Sequence, residues 1–340
     1  MKILLIKDYR GVFYSSTTNT KTLCTMDIGK IVMCFEKLGI QTEVTSFDKL
    51  DLRSSYQDTV VLYTSSEDLE LKYKSYIEDI ILFLERRGAI LLPDFAFFRA
   101  HHNKSFMELL RYELFPEQSE NLNTRIFGTL EEFIRADLPD KKFVVKSAYG
   151  AGSRYVKLAK DKAGLANIAA KMSRCIQPMG LIKEIRRRII WRGYHKASLN
   201  RNKFIVQNFI EGLRGDFKVL KYGRRFYTLY RKNRKNDFRA SGGGRLEFRL
   251  PENVSEEGLL DFAKEISDKI GTPLCSLDIA WDGKKFILIE FQCINFGPYA
   301  AEKSTHCHIY ENGKWTESKE VCCLEQVFCE AIAEYVELGV

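Results

Sequence analysis

Proline is scarce in this chain, 7 among 340 residues, and its 22 glycines form neither a repeat nor a low-complexity tract. Collagen-like, linker-like and disordered readings are excluded on that ground. Long hydrophobic runs are missing as well. Stretches such as residues 80–84 are far too short to span a bilayer. Residues 1–6 have neither the apolar length nor the small-residue cleavage site of a signal peptide, so a cytoplasmic location is expected. Paired cysteines are absent too: nine cysteines, an odd number with no C-x-x-C spacing, do not make a disulfide framework. The triplet His306-Cys307-His308 is too closely spaced for its side chains to face one ion from a strand, so buried filler is the expectation there.

What is present is a large apolar complement, 45% hydrophobic and 12% aromatic residues, enough to bury the core of one composite domain or two. The net charge is +8, unevenly spread. Residues 183–245 hold 19 Lys or Arg against Glu184, Glu211, Asp216 and Asp237, a local balance of +15, so the remainder of the chain is acidic. An anion is expected at that stretch: nucleotide phosphates, an acidic small substrate, an anionic polymer or nucleic acid. A solvated basic face is the plain alternative.

Residues 1 to about 100 alternate between strand patterns (3–6, 41–45, 60–63, 89–92) and helix patterns (28–38 closed by Gly39, 73–87 ending at Gly88). That rhythm implies a parallel sheet, with the loop 7–16 as its ligand-facing edge. No G-x-G-x-x-G follows the first strand, which disfavours a dinucleotide dehydrogenase. Further on, helices are expected at 103–114, 130–135, 163–174, 183–191, from the Ser255 cap to about 270, and at 324–338. Strands are expected at 124–127, 143–146, 155–158, 204–208, 216–222 and 225–231, and a hairpin joins 275–281 to 285–291 about Asp282-Gly283.

Three constellations could carry chemistry. Lys146 ends an apolar strand just before Gly150, Gly152 and Ser153, where small residues let backbone N–H groups approach a phosphate and the lysine adds charge. The G-x-x-x-x-G-K order of a P-loop is absent. The strand 204–208 then breaks into Gln207, Asn208, Phe209, Ile210 and Glu211, where a heterocycle could meet backbone groups and Glu211 a ribose. Finally, Asp278 and Glu290 lie on adjacent antiparallel strands, with Gln292 and Asn295 just beyond, oxygen ligands of the kind magnesium takes. Side chains alternate along a strand, and a two-residue turn at Asp282-Gly283 would put Asp278 and Glu290 on opposite faces. A shared metal therefore requires an odd-length loop or a bulge there, leaving Gln292 as the preferred third ligand and Asn295 in reserve.

The order Lys104, Lys146, glycine loop, 207–212, Asp216 with Lys218, Arg231, Arg239 with Gly242-Gly243-Gly244, Asp278, Glu290 resembles the ATP-grasp superfamily over nearly the whole chain. The run Phe238-Arg239-Ala240-Ser241-Gly242-Gly243 is similar to the phenylalanine-arginine signature of the ribosomal-protein glutamate ligase branch, and the D-alanyl-D-alanine ligase branch is also similar. Departures are Asn208 where that family usually has glutamate, Lys218 where arginine is frequent, and Gln292 where Glu-x-Asn is usual.

The resemblance implies an α/β protein. A Rossmann-like domain at 1–100 would precede a two-lobed ATP-grasp fold at 101–340, with the small lobe at 140–212, the large lobe at 213–340 and ATP held between the lobes. It implies ATP and magnesium as cofactors, and a carboxylate–amine ligation that passes through an acyl phosphate and releases ADP and phosphate. Nucleotide binding would fall to Lys104, Lys146, Gly150, Gly152, Ser153, Gln207, Asn208, Phe209, Ile210, Glu211, Asp216 and Lys218, metal binding to Asp278, Glu290, Gln292 and Asn295, and catalysis to Arg231 and Arg239. Small carboxylate and amine substrates are the expected partners, without nucleic acid or membrane and with a homodimer left open. The alternatives are an ATP-grasp phosphotransferase or other enzyme of surface-glycan or secondary metabolism, and a nucleic-acid-binding module stacking bases on the aromatics of 217–230.

Overall fold

A computed structural model describes residues 2–17, 23–66, 68–150, 155–176 and 178–338. The chain forms two compact units, one built from residues 1–101 together with 212–340, the other from 102–211.

The first unit begins with β1 (Lys2–Lys7), whose apolar run is buried on both faces, as the centre of a parallel sheet requires. A short hairpin, β2 (Ser15–Thr17) and β3 (Leu23–Thr25), follows, then α1 (Ile28–Lys37), capped where Asp27 accepts from the Lys30 N–H. Next come β4 (Gln41–Ser46), β5 (Thr59–Tyr63), α2 (Lys72–Arg86), β6 (Ile90–Leu92) and α3 (Phe95–Ala100). The sheet order β4-β1-β5-β6 is parallel throughout. Helix α2 buries Ile77, Ile81 and Leu84, one stripe at helical spacing.

The second unit carries α4 (Lys104–Leu114), α5 (Pro116–Leu122), β7 (Arg125–Phe127), α6 (Leu130–Arg135), β8 (Phe143–Ser147), β9 (Val156–Ala159), α7 (Lys162–Ser173), α8 (Pro178–Ile190) and β10 (Phe204–Asn208). Its antiparallel sheet runs β7-β10-β8-β9. One face, with Phe143, Val145, Phe204 and Val206, packs with Phe127, Phe133 and Leu165 as the core.

The chain then completes the first unit with β11 (Gly215–Tyr222), β12 (Arg225–Lys232), β13 (Leu246–Glu247), α9 (Glu256–Ile270), β14 (Leu274–Trp281), β15 (Phe286–Gln292), α10 (Tyr299–Lys303), β16 (Cys307–Glu311), β17 (Lys314–Ser318) and α11 (Leu324–Glu337). The large sheet runs β15-β14-β11-β12-β16-β17, with β13 on β12. Ser255 caps α9 as expected, accepting from the Gly258 N–H. Core residues of residues 2–101 and of this sheet, such as Phe35, Leu220, Tyr222, Tyr227 and Ile332, belong to one continuous apolar cluster. The elements without a forecast, α3, α5, α10, β13 and the hairpins β2–β3 and β16–β17, are short or, like the largely exposed β17, give no clean alternation.

Candidate active site

Antiparallel partners share a face, so the register of the large sheet fixes which side chains meet. Asp216 pairs with Arg231, Lys218 with Asp278, and Asp278 with Glu290. Ser276 pairs with Gln292 two residues along, on the same face. The parity problem at the hairpin is solved by a bulge. Trp281, Ala280 and Ile279 pair with Phe286, Ile287 and Leu288, but Asp278 then pairs with Glu290, so Ile289 is the extra residue. The connection has four residues, an even number that alone would have put Glu290 on the wrong side. The expected bulge is thus present, seven residues beyond Asp282 rather than at the turn, and it brings Asp278, Glu290 and Gln292 to one face.

The Arg231 guanidinium lies between two acids on this face. Its Nε donates to Asp216 Oδ1 at 2.6 Å, and its Nη2 sits 2.7 Å from Asp278 Oδ2. Lys218 Nζ donates to Ser276 Oγ at 2.7 Å and lies 3.4 Å from Asp278 Oδ1. The Gln292 amide N–H donates to Glu290 Oε1 at 3.3 Å. Burial alone would push the Asp278 carboxyl up, but Arg231 and Lys218 outweigh it and hold it down at about 2. Asp216 moves the other way: burial and the Asp278 charge raise it against the attraction of Arg231. Three carboxylates face two cations here, leaving one negative charge in excess. Deeper along the same strands this face becomes the apolar core at Leu220, Tyr222 and Tyr227.

Arg231 was expected to stabilise a developing anion; its fork is here engaged by Asp216 and Asp278. Arg239 bonds the carboxylate of Asp237, its Nε at 3.0 and 2.9 Å from the two oxygens. Asn295 is not gathered with the acids. Its Oδ1 accepts from the Ser65 N–H at 3.3 Å and the Thr64 hydroxyl at 3.4 Å, and its amide donates to the Ser65 carbonyl, a buried tie to the end of β5. Gln292, which completes the acid face, is the better placed of the two. Ser276 was not singled out from the sequence, although it stands two residues before Asp278 on the same strand, the spacing that puts both on one face.

In the second unit, Lys104 opens α4, and its Nζ donates to the Gly150 carbonyl at 2.7 Å while its N–H donates to the Ala148 carbonyl at 2.8 Å. The two elements that carry Lys104 and Lys146 are thereby joined. Lys146 is buried near the end of β8. Gly150 has φ +107°, and a Cβ there would lie 2.7 Å from the Tyr155 ring, so glycine is required by both conformation and space. Gly152 and Ser153 lie outside the described residues.

The Gln207 side chain is buried and its Nε2 donates to Thr124 Oγ1 at 2.9 Å; Thr124 donates to Glu108 Oε2 at 2.8 Å, which also accepts from Arg111 Nε at 3.0 Å. That side-chain amide is engaged inside the unit, because on β10 it lies on the face toward α4. Asn208 Oδ1 is buried with no partner among the described residues. Phe209 and Ile210 follow the strand, with Lys142 Nζ 5.8 Å from the Phe209 ring centre, and Lys142 pairs with Glu211 at 2.9 Å, both half-exposed. Cys293 is buried and burial pushes its thiol well up, which suits filler and not a nucleophile. Cys307 lies 3.5 Å from Glu320 and His308 3.4 Å from Glu256. Among the described residues no group of three His, Cys, Asp or Glu side chains is arranged to hold a metal.

No family model and no curated protein matches this sequence. Solved structures do match. D-cycloserine synthetase DcsG superposes with a TM-score of 0.55 at 13% identity, over 98% of this chain and 99% of its own. The ATP-grasp ligase PsnB, solved with a minimal precursor, gives 0.51 at 12% identity, covering 98% of both chains. This chain has the ATP-grasp fold. Identities this low establish the ATP-grasp architecture and leave the reaction to be argued from the side chains.

Proposed function

We propose that this ATP-grasp protein is an ATP-dependent carboxylate–amine ligase. The observation that carries the reading is the face built from β11, β12, β14 and β15, where a bulge sets Glu290 and Gln292 beside Asp278 in a cluster with one carboxylate more than its cations can neutralise. An excess of negative charge on a partly buried face is unfavourable unless a cation joins it. Magnesium fits this donor set: Glu290, Asp278 and the Gln292 carbonyl oxygen are hard oxygen ligands, and Arg231 and Lys218 hold Asp278 ionised. When bound, magnesium would neutralise charge on the transferring phosphoryl group.

In this reading the acid face would hold magnesium, and Lys104, Lys146 and Gly150 are the groups assigned to the nucleotide phosphates. The backbone of 208–211 meets the base and Glu211 the ribose. A substrate carboxylate oxygen attacks the γ-phosphorus, the bond to ADP breaks, and an acyl phosphate forms. An amine then attacks the carbonyl carbon, phosphate leaves with the bonding pair, and the amine's proton passes to solvent. Arg239, about one-fifth exposed and paired with Asp237, is the residue assigned to the acyl phosphate, for which it would exchange that carboxylate, because a planar guanidinium matches the anion in a bidentate way.

A screen of amino acids, small diacids and amines for ADP and phosphate release, with mass spectrometry of the product, tests this. An amide product with equimolar ADP and phosphate is expected. ADP release with phosphate retained on the acceptor would make the protein a phosphotransferase instead.

A further inference from the structure

Helix α8 is assembled the wrong way round for a helix of a globular unit. Of its residues 179–190 only Glu184 is buried, where its carboxylate accepts from the Tyr194 hydroxyl and from the Ala197 N–H, each at 2.8 Å. The polar residue is thus the anchor, and the apolar stripe faces outward. Ile182, Ile185 and Ile189 are 60%, 53% and 79% exposed, and Trp191 just past the helix is 59% exposed. At about 100° per residue, Leu181, Ile182, Ile185 and Ile189 fall within one arc of roughly 100°, with Arg188 at one edge and Arg186 at the other. Lys183, Arg187 and Arg192 add to that charge, and the one acid, Glu184, is turned inward. A solvated basic face explains the arginines and leaves the isoleucines unexplained, since a contiguous exposed apolar patch on a soluble unit marks a contact site.

We propose that α8 is an interfacial membrane-binding helix whose occupant is an anionic lipid surface, with the isoleucine stripe and Trp191 entering the acyl boundary and the flanking arginines meeting lipid phosphates. Three observations favour this occupant. The stripe is exposed along a helix about 20 Å long, and a bilayer needs no complementary shape. A second copy would set five cations against five, which disfavours a self-contact. A nucleic acid would use the arginines alone. No described helix is long and apolar enough to cross a membrane, so α8 lies on the surface instead of spanning it. This departs from the expectation of no membrane partner, and it does not depend on the proposed ligase activity.

The test is co-sedimentation of the full chain with vesicles of phosphatidylcholine containing about 30% phosphatidylglycerol, against phosphatidylcholine alone. Binding is expected on the anionic vesicles, at least about tenfold weaker on the neutral ones, and weakened again when salt rises from about 0.05 to about 0.5 M. The double variant Ile185→Asp/Ile189→Asp should lose roughly tenfold or more in vesicle partitioning with an unchanged thermal midpoint, since both sites are exposed. Replacing Arg186, Arg187 and Arg188 by Glu should lose a similar factor. Absence of vesicle binding, equal binding to neutral vesicles, or binding indifferent to the isoleucine variant would overturn the assignment. So would a vesicle-free oligomer or an acidic protein partner that the same isoleucine variant abolishes.

Discussion

Two ionic networks, one fully and one partly buried, sit on the two units, and they are built on different terms. In the second unit Glu108 and Arg111, both fully buried, pair one to one, with Thr124 and Gln207 completing the hydrogen bonds. In the first unit Asp216, Asp278 and Glu290 share a face with only Arg231 and Lys218. The balanced network needs nothing from outside, so its work is structural. The unbalanced one is where we propose a cation, and the bulge at Ile289 sets Glu290 on the face of Asp278. Charge balance, more than burial, separates scaffold from site here.

Substitutions that break each network in turn sharpen that contrast. Arg111→Met strands the Glu108 charge and is expected to destabilise the protein by about 3–5 kcal/mol, read from the denaturant midpoint at constant slope. Glu290→Gln should do the reverse, lowering ATP turnover by about 100- to 1,000-fold while moving the unfolding free energy by less than about 0.5 kcal/mol. Equal damage to stability in both variants would erase the distinction. Lys146→Ala comes next: it should weaken nucleotide binding by about 1.5–3 kcal/mol, measured by calorimetry, with folding retained.

The smallest effect is in acid stability. Asp278 titrates lower in the folded protein, at about 2, than its ordinary value near 3.8, so the stability it contributes is present above about pH 4 and is lost as pH falls toward 2. Asp216, shifted up, has the opposite sign: ionised, it opposes folding, and its protonation on acidification returns part of what Asp278 loses. Asp278→Asn should therefore be less stable than the parent near neutrality, with the gap closing toward pH 2. A gap that does not change with pH would contradict the assigned direction.

Much of this architecture was legible because it rests on local patterns. The run at 3–6 reads as a strand of a parallel sheet and Ser255 as a cap, and both are found; 216–222 and 225–231 are strands as expected, but they are buried on both faces where half-buried strands were expected. The bulge was legible in kind and not in place. Strand parity demands one if Asp278 and Glu290 cooperate, but nothing in Phe286–Gln292 marks Ile289 as the residue that yields. Gln207 and Asn295 have structural partners that the sequence does not show, for one reason. Their partners, Thr124 and Ser65, are 83 and 230 residues away, so a buried structural amide looks in sequence like a ligand. The helix α8 was visible as basic, whereas the side on which its isoleucines lie is set by the Glu184 anchor to Tyr194 and Ala197, a contact that no periodicity encodes.

The reading of the acid face as the centre of a ligase is tested most directly by following magnesium-dependent nucleotide turnover during an acid and amine screen, with the parent and Glu290→Gln proteins side by side. The expected result is ADP and phosphate in equal amounts only when both substrates are present, a product with the mass of the two less one water, and turnover by Glu290→Gln at least about 100-fold lower. Release of AMP and pyrophosphate, or full activity in Glu290→Gln, would contradict it.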